Sequence, residues 1–198
     1  TYQRTRYLQP QVKGEIALSK TPDKPFVVSV SADDAQGRSL QYSDGVVLYD
    51  KGLAPIGFIS SDGKKTIFDP SSVMHWMPEG ELKPGMEWKI YNEYKGTAIN
   101  YVSQCTTAER YNATSKKTFR DILINQKLTR VDAIEVTLKG RGFSVSSCEL
   151  VDGEQDILQT IVYSKELNLI LEQSKLRRSD YNEMIGKYNW LEVVTAIN

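Results

Sequence analysis

Hydrophobic and polar residues alternate with a period of two along much of the chain. Ile134, Val136 and Leu138 are apolar, whereas Glu135 and Thr137 between them are polar. This alternation is typical of an antiparallel sheet with one buried face and one wet face. Proline, glycine and aspartate separate such runs at short intervals, so the pattern predicts an all-β architecture.

The same pattern predicts short strands in the first part of the chain and longer strands in the second. The short strands span residues 12–19, 25–32, 39–43, 46–50, 55–60 and 65–68. The longer group spans residues 86–94, 97–111, 130–139, 142–150, 157–164, 167–173 and 188–197. Ser61-Asp62-Gly63 has the composition of a hairpin turn, and a turn is also expected at Lys139-Gly140-Arg141-Gly142.

Helical spacing interrupts the pattern in two places. Apolar residues recur at that spacing within residues 117–126, and again within residues 181–188, where Gly186 is placed to end a helix. Both segments are short. They therefore predict one or two short helices that cover the sheet or cross it.

A stretch with three prolines, Pro70, Pro78 and Pro84, separates the two groups of strands. It predicts a boundary between a smaller N-terminal β layer, residues 1–75, and a curved antiparallel sheet or half-barrel, residues 76–198. The two parts can still pack as one body. A chain of 198 residues is long enough to bury a core without covalent staples.

Charge and hydropathy argue against a nucleic acid partner and against a membrane-spanning segment. Lys and Arg number 25, Asp and Glu also number 25, and the net charge is zero, so no basic footprint for nucleic acid is present. No apolar run is long enough to span a bilayer. The chain begins at Thr1, a start that both export processing and artificial trimming produce.

The two cysteines, Cys105 and Cys148, each lie in a strand-like run. They predict one disulfide in an oxidising compartment, and the alternative is two free buried thiols. On the predicted strand order the strand containing Ile134 lies between them, which would separate their strands by about 9–10 Å. A disulfide needs Cα atoms about 4.4–6.8 Å apart, so it requires another strand order or a sharp bend.

Candidates for chemistry are few. His75 is the one histidine, and the inventory of His and Cys supplies no zinc site and no serine triad with a nucleophile elbow. The carboxylates around Gly153 lack the spacing of an EF-hand, so a solvated turn is the simpler interpretation. We predict no catalytic residue, no metal and no cofactor. A hydrolase that acts through dispersed carboxylates or His75 remains an alternative.

Three segments resemble a known family. Residues 82–88 (Leu-Lys-Pro-Gly-Met-Glu-Trp) resemble the entry into a first long strand, and residues 131–136 followed by 160–170 resemble a strand and hairpin. Together they are similar to the LolA/LolB-like superfamily of periplasmic lipoprotein carriers and its uncharacterised envelope relatives. The resemblance implies a half-barrel whose concave face holds an acyl chain or a segment of a partner, closed by short helices.

Two functions follow as hypotheses. The first is an exported cell-envelope protein, periplasmic, outer-membrane-associated or secreted, that is not an enzyme and binds an apolar small molecule or lipid. Its predicted lining residues share the apolar phase of their strands: Trp88, Ile90, Tyr101, Ile134, Val136, Leu138, Tyr163 and Leu169. The second is a structural or secretion-associated module that recruits an envelope protein through exposed edge strands.

Overall fold

The described part of the chain forms one curved, almost wholly antiparallel sheet of twelve strands, which confirms the predicted mainly β fold class. The computed structural model describes residues 1–8, 26–33, 37–70, 73–97, 104–145, 153–178 and 190–197. Across the sheet the strands follow the order β6-β5-β4-β3-β2-β1-β12-β11-β10-β9-β8-β7. Among the described residues, no helix is long and apolar enough to cross a membrane.

The first strands are short. They are β1 (Tyr2–Leu8), β2 (Phe26–Asp33), β3 (Arg38–Tyr42), β4 (Gly45–Tyr49), β5 (Pro55–Ser60) and β6 (Lys65–Ile67). We call β2 to β6 the short-strand region. The predicted turn between β5 and β6 is confirmed, because the N–H of Gly63, at φ +84°, donates to the carbonyl of Ser60 at 2.9 Å. The predicted strand 12–19 lies outside the described residues.

The sequence pattern did not predict β1. Its buried phase contains Arg4 beside Tyr2, so the apolar alternation that signals a strand is interrupted. β1 nevertheless pairs with β2 on one side and with β12 on the other. The first strand therefore joins the early and late strands into one sheet, while the predicted boundary at residues 75 and 76 stays a prediction.

The later strands are longer. They are β7 (Glu87–Thr97), β8 (Gln104–Ile124), β9 (Lys127–Val145), β10 (Gly153–Ser164), β11 (Leu169–Arg178) and β12 (Trp190–Ile197). We call them the long-strand region. The predicted helix at residues 117–126 is wrong, since β8 runs to Ile124 and turns at Asn125 and Gln126, both at positive φ. The second predicted helix, residues 181–188, lies outside the described residues.

The false helix has a local explanation. Phe119, Ile122 and Leu123 fit helical spacing, but on β8 Ile122 is buried on one face while Phe119 and Leu123 point to the other and are exposed. Three apolar residues at that spacing also arise on a strand that is apolar on both faces. The pairing of β8 with β9 decides between the two structures.

β9 is one strand where the sequence predicted two strands and a turn, so the turn at residues 139–142 is wrong. A Cβ atom at Gly140 would lie 1.9 Å from the carbonyl oxygen of Arg110 and 2.7 Å from Cδ1 of Tyr111. Glycine is therefore needed here because the neighbouring strand approaches closely. A glycine inside a strand often marks such an approach.

The long strands are buried on both faces, at different ends. On β9, Val136 and Leu138 belong to one core cluster, whereas Val131 and Ala133, on the opposite face, belong to another. The sheet curls so far that the end of β12 pairs in parallel with the end of β8, at residues 196–197 and 123–124. The predicted single buried face therefore holds for only part of β9.

The segment between the two groups of strands covers the first core cluster. Trp76 and Leu82 in this segment are buried in that cluster. Ser115 on β8 fixes the segment's end: its hydroxyl donates to the carbonyl of Lys83 at 2.6 Å, and its carbonyl accepts from the N–H of Gly85 at 2.8 Å. Two residues of the proline-flanked stretch, Trp76 and Leu82, are therefore part of the core.

The cysteine prediction changes in one respect. β8 contains Cys105, and β8 and β9 are direct neighbours with Thr106 opposite Val145, so the predicted intervening strand is wrong. That strand was half of β9. Cys148 lies outside the described residues, and the disulfide stays a prediction.

Candidate functional site

A cavity of about 510 Å³ lies where the short-strand region meets the long strands. This volume is within the range of about 300–1,000 Å³ that small-molecule sites occupy. Residues of both core clusters line it, with Leu53, Trp76 and Ile161 from the first and Leu40 and Leu169 from the second. The cavity is therefore a gap between the two clusters.

Two walls of the cavity differ in polarity. The wall from the short strands and the segment that follows them is mainly apolar, and consists of Arg38, Leu40, Tyr49, Leu53, Pro55, Phe68, Val73, Met74 and Trp76. The other wall comes from β1 and the long strands, and consists of Arg4, Asn92, Glu109, Gln159, Ile161, Leu169, Ile170, Gln173, Lys175 and Trp190. Polar and charged groups are concentrated on the second wall.

Strand register assembles the polar wall. Lys175 on β11 lies directly opposite Gln159 on β10 and opposite Trp190 on β12. Gln173, two residues earlier, lies opposite Ile161. Side chains at opposed positions of an antiparallel pair point to the same face, so these five residues form a contiguous surface.

A buried ion pair crosses this surface. The ammonium of Lys175 lies 2.9 Å from the carboxylate of Glu109 on β8, and the hydroxyl of Tyr111 donates to the same carboxylate at 2.7 Å. Burial by itself raises the pKa of Glu109, but Lys175 and the Tyr111 hydroxyl outweigh it and hold that pKa below its usual value. Glu109 is therefore ionised at neutral pH.

Two glycines of β9 lie opposite Glu109 and Tyr111 on β8. Gly142 lies opposite Glu109, and Gly140 lies opposite Tyr111. Neither glycine carries a side chain between β8 and the Lys175 chain that reaches across from β11. At Gly140 a Cβ atom would meet the Tyr111 ring, so this glycine leaves room for the tyrosine that donates to Glu109.

A second buried cluster lies beside the cavity. Glu192 on β12 accepts from Arg4 at 3.1 Å, from Nε of Arg6 at 2.7 Å and from Gln173 at 3.1 Å. Arg4 also donates to the hydroxyl of Tyr42 at 3.4 Å. Three donor side chains thus bind one carboxylate, and the two arginines among them compensate its buried negative charge.

Three side chains of the cavity wall carry a polar atom with no hydrogen-bond partner among the residues that the structure describes. They are Arg38 at Nε, Trp76 at Nε1 and Gln159 at Oε1. Each side chain is more than nine-tenths buried. A buried polar group without a partner costs about 1–3 kcal/mol, so each one calls for a structural or functional explanation.

The structure places the predicted lining residues in two groups. Leu169 lines the cavity. The others that are described belong to the first core cluster or pack against it: Trp88, Ile90, Ile134, Val136, Leu138 and Tyr163. Tyr101 lies outside the described residues, and a ligand-lining role for the set stays a prediction.

Sequence patterns did not reveal the charged lining residues. Arg4, Arg38, Glu109 and Lys175 are polar residues on strands, where a period-two pattern places them on the wet face. The one available signal was the pair of glycines on β9, which marks a close approach. It does not identify which side chains come together.

His75 does not belong to the cavity wall. Its Nδ1 atom lies 3.1 Å from the carboxylate of Asp50, and its side chain is 61% exposed. Within the described ranges no group of three or more His, Cys, Asp or Glu residues is placed to hold a metal ion. These contacts identify no catalytic constellation around the histidine.

No protein-family model matches the chain, and no curated protein matches it. The chain is similar to one solved structure, the hypothetical lipoprotein YmcC from Escherichia coli, at 9% sequence identity. The similarity covers 97% of this chain and 85% of that one, with a TM-score of 0.43. A TM-score of this size does not establish a common fold.

Proposed function

We propose that this protein is a binding protein of the cell envelope that holds an apolar or amphipathic ligand in the cavity between its two groups of strands. The observation that carries the proposal is the cavity itself, about 510 Å³ in volume, with one apolar wall and one polar wall. A site that fixes a ligand needs apolar area for affinity and a few polar groups for orientation.

The envelope location and the absence of catalysis belong to the same proposal. The predicted disulfide and the resemblance of residues 82–88, 131–136 and 160–170 to periplasmic lipoprotein carriers support an exported protein. Each cationic side chain of the cavity wall is paired with a carboxylate, as Lys175 is with Glu109, which suits binding more than proton transfer.

The first experiment fills the cavity. Val73 is buried, lines the cavity and lies outside the strands, so Val73→Trp should occupy the space with little disturbance of strand pairing. We expect the wild-type protein to take up a hydrophobic fluorescent dye and the variant to lose most of this uptake. Mass spectrometry of the protein purified from its native host should also detect bound lipid.

The matched control is Leu128→Trp. Leu128 lies at the tip of the β8–β9 hairpin, is exposed and does not line the cavity. This variant should bind the dye as the wild type does. If the wild-type protein takes up no dye and copurifies with no lipid, the proposed binding function is wrong.

A second candidate function is a protein-interaction module. β6 lies at one edge of the sheet, all three of its residues are exposed, and Ile67 is 58% exposed. An edge strand with exposed apolar residues can pair with a strand of a partner. Copurification separates the two functions: a stoichiometric protein partner favours the module, and bound lipid favours the cavity.

A further inference from the structure

The charges on the cavity wall are not balanced. Arg4, Arg38 and Lys175 line the cavity and are positive, whereas Glu109 is the one acidic side chain among the described lining residues. Glu192, which does not line the cavity, is shared by Arg4 and Arg6, and Asp33 pairs with Arg38. An excess of positive charge at a partly apolar cavity favours a ligand that carries negative charge.

Among the three cationic side chains of the wall, Arg38 has the most exposed acidic partner. Lys175 and Arg4 are each paired with a carboxylate that is almost fully buried, Glu109 and Glu192 respectively. Arg38 is paired with Asp33, whose side chain is 46% exposed and therefore screened by water. The Arg38 side chain itself is 7% exposed, so its charge interacts mainly with groups in the interior of the protein.

Arg38 also has hydrogen-bonding capacity to spare. One of its terminal nitrogens donates to the carbonyl of Asn168 and the other to Asp33, but Nε has no partner among the described residues. An arginine presents its donors in a planar fork that suits the two oxygens of a carboxylate or the oxygens of a phosphate. Its geometry and charge thus favour the same kind of ligand group.

A second donor lies near Arg38. Asn168, which accepts from Arg38 through its carbonyl, also accepts at its side-chain oxygen from the hydroxyl of Tyr163, at 3.0 Å. The Tyr163 ring packs edge-on against Trp76, with 6.1 Å between ring centroids. Trp76 is therefore linked to Arg38 through three successive contacts, it lines the same cavity, and its Nε1 has no partner in the described part of the chain.

We infer that the ligand is an amphipathic anion, whose carboxylate or phosphate group binds at Arg38 and Trp76. Its hydrocarbon part lies along the apolar wall formed by Leu40, Leu53 and Val73. This inference rests on the proposed binding function and specifies the chemical class of the ligand. Because both donor atoms are shielded from water, the headgroup replaces protein atoms that now cover them.

The experiment compares three probes of equal chain length by calorimetry: dodecanoate, dodecyl phosphate and dodecanol. We expect at least one of the two acids to bind about tenfold or more tightly than the alcohol, since charge-assisted hydrogen bonds to a headgroup contribute this much. The tighter of the two acids identifies the headgroup. Equal affinity for all three probes would overturn the inference while leaving the proposed function intact, and binding of none would overturn the proposed function itself.

Arg38→Met tests whether Arg38 binds the headgroup. It should abolish the preference for the acids and change dodecanol affinity by less than about twofold, because the charge is lost while apolar area is kept. Arg6→Met is the matched control, since Arg6 also binds a carboxylate, Glu192, but does not line the cavity. An equal loss of acid binding in both variants, or an equal loss for acid and alcohol in Arg38→Met, would contradict a headgroup site at Arg38.

Trp76→Phe is a second test of the headgroup site, and it remains available if Arg38→Met fails to fold. It removes one N–H that has no partner in the described protein and keeps most of the ring. We expect acid affinity to fall by about threefold or more and dodecanol affinity to stay constant. The control is Tyr91→Phe, because Tyr91 is exposed, its hydroxyl donates to Glu93, and it does not line the cavity. Equal acid affinity in wild type and Trp76→Phe would exclude the tryptophan from the site.

Discussion

The short-strand and long-strand regions belong to one sheet, yet they are stabilised differently. On the long strands, Val136 and Leu138 are fully buried between neighbours that are themselves paired on both sides. In the short-strand region, Val27 and Val30 on β2 are exposed, and so is Ile67 on β6. The long strands supply most of the core, and the short strands add Val28 and Leu40 to the second cluster.

The difference shows how strand length affects the packing of residues around a cavity. Long neighbouring strands can bury both faces and still hold charged pairs such as Lys175 and Glu109 in fixed positions. The short strands meet the long strands at the cavity. We expect substitutions in the long strands to cost more than matched substitutions in the short ones.

The largest effect should come from truncating the core leucines. Leu138→Ala should lower the free energy of unfolding by about 4 kcal/mol, because the side chain is fully buried within the first cluster. Leu40→Ala should cost about 2 kcal/mol, because Leu40 already borders the cavity and loses fewer contacts. Urea unfolding of both variants measures the difference, and equal losses would remove the distinction between the two regions.

A pair of glycines gives the next largest effect. Gly140→Ala should cost about 3 kcal/mol, because the new Cβ would meet the backbone carbonyl of Arg110 in the interior of the sheet. Gly57→Ala should cost about 1 kcal/mol, because its close neighbours, Thr66 and Ile67, lie on the edge strand β6, which can move aside. A larger loss for Gly57→Ala in thermal or urea unfolding would show that the short-strand region is the more rigid.

The effect of acid pH on the free energy of unfolding should differ between two carboxylates, Glu109 and Asp62. The pKa of Glu109 is lowered in the folded protein, so its contribution is present above its ordinary pKa of 4.5 and is lost as the pH falls through the folded value. Glu109→Gln should cost about 2 kcal/mol at pH 7, because Lys175 loses its buried partner, and less at pH 3.

Asp62 is the matched group in the short-strand region. Its pKa is lowered chiefly by the Ser60 hydroxyl and also by the N–H of Lys64, but the group is fully exposed. Asp62→Asn should therefore change stability much less than Glu109→Gln at every pH. Parallel pH profiles of the two variants and the wild type, obtained by urea unfolding, would contradict a special role for the buried pair.

The smallest effects are expected at the two edges of the sheet. Ile67→Thr on β6 and Tyr91→Thr on β7 each change a side chain that is more than half exposed, so each should alter stability by no more than about 0.5 kcal/mol. A larger loss in Tyr91→Thr would show that its contact with Arg110, at 5.3 Å from the ring centroid, stabilises the long edge. Thermal unfolding is sufficient for this measurement.

The strands of the short region could be predicted closely, whereas the long strands could not. β5 spans Pro55–Ser60 as the sequence predicted, because proline, serine and glycine delimit it locally. β8 and β9 were each divided in the prediction, since Gly140 and the apolar spacing around Ile122 are also compatible with turns and helices. Only pairing between the two strands excludes those alternatives.

The sequence by itself determined that the chain is an antiparallel β protein, because period-two alternation and turn residues are local properties. It also indicated where several strands end. The tertiary structure decided which faces are buried, where the cavity lies and which charges meet in it. Lys175 and Glu109 lie 66 positions apart, and Arg4 and Glu192 lie 188 apart, so strand order and register bring them together.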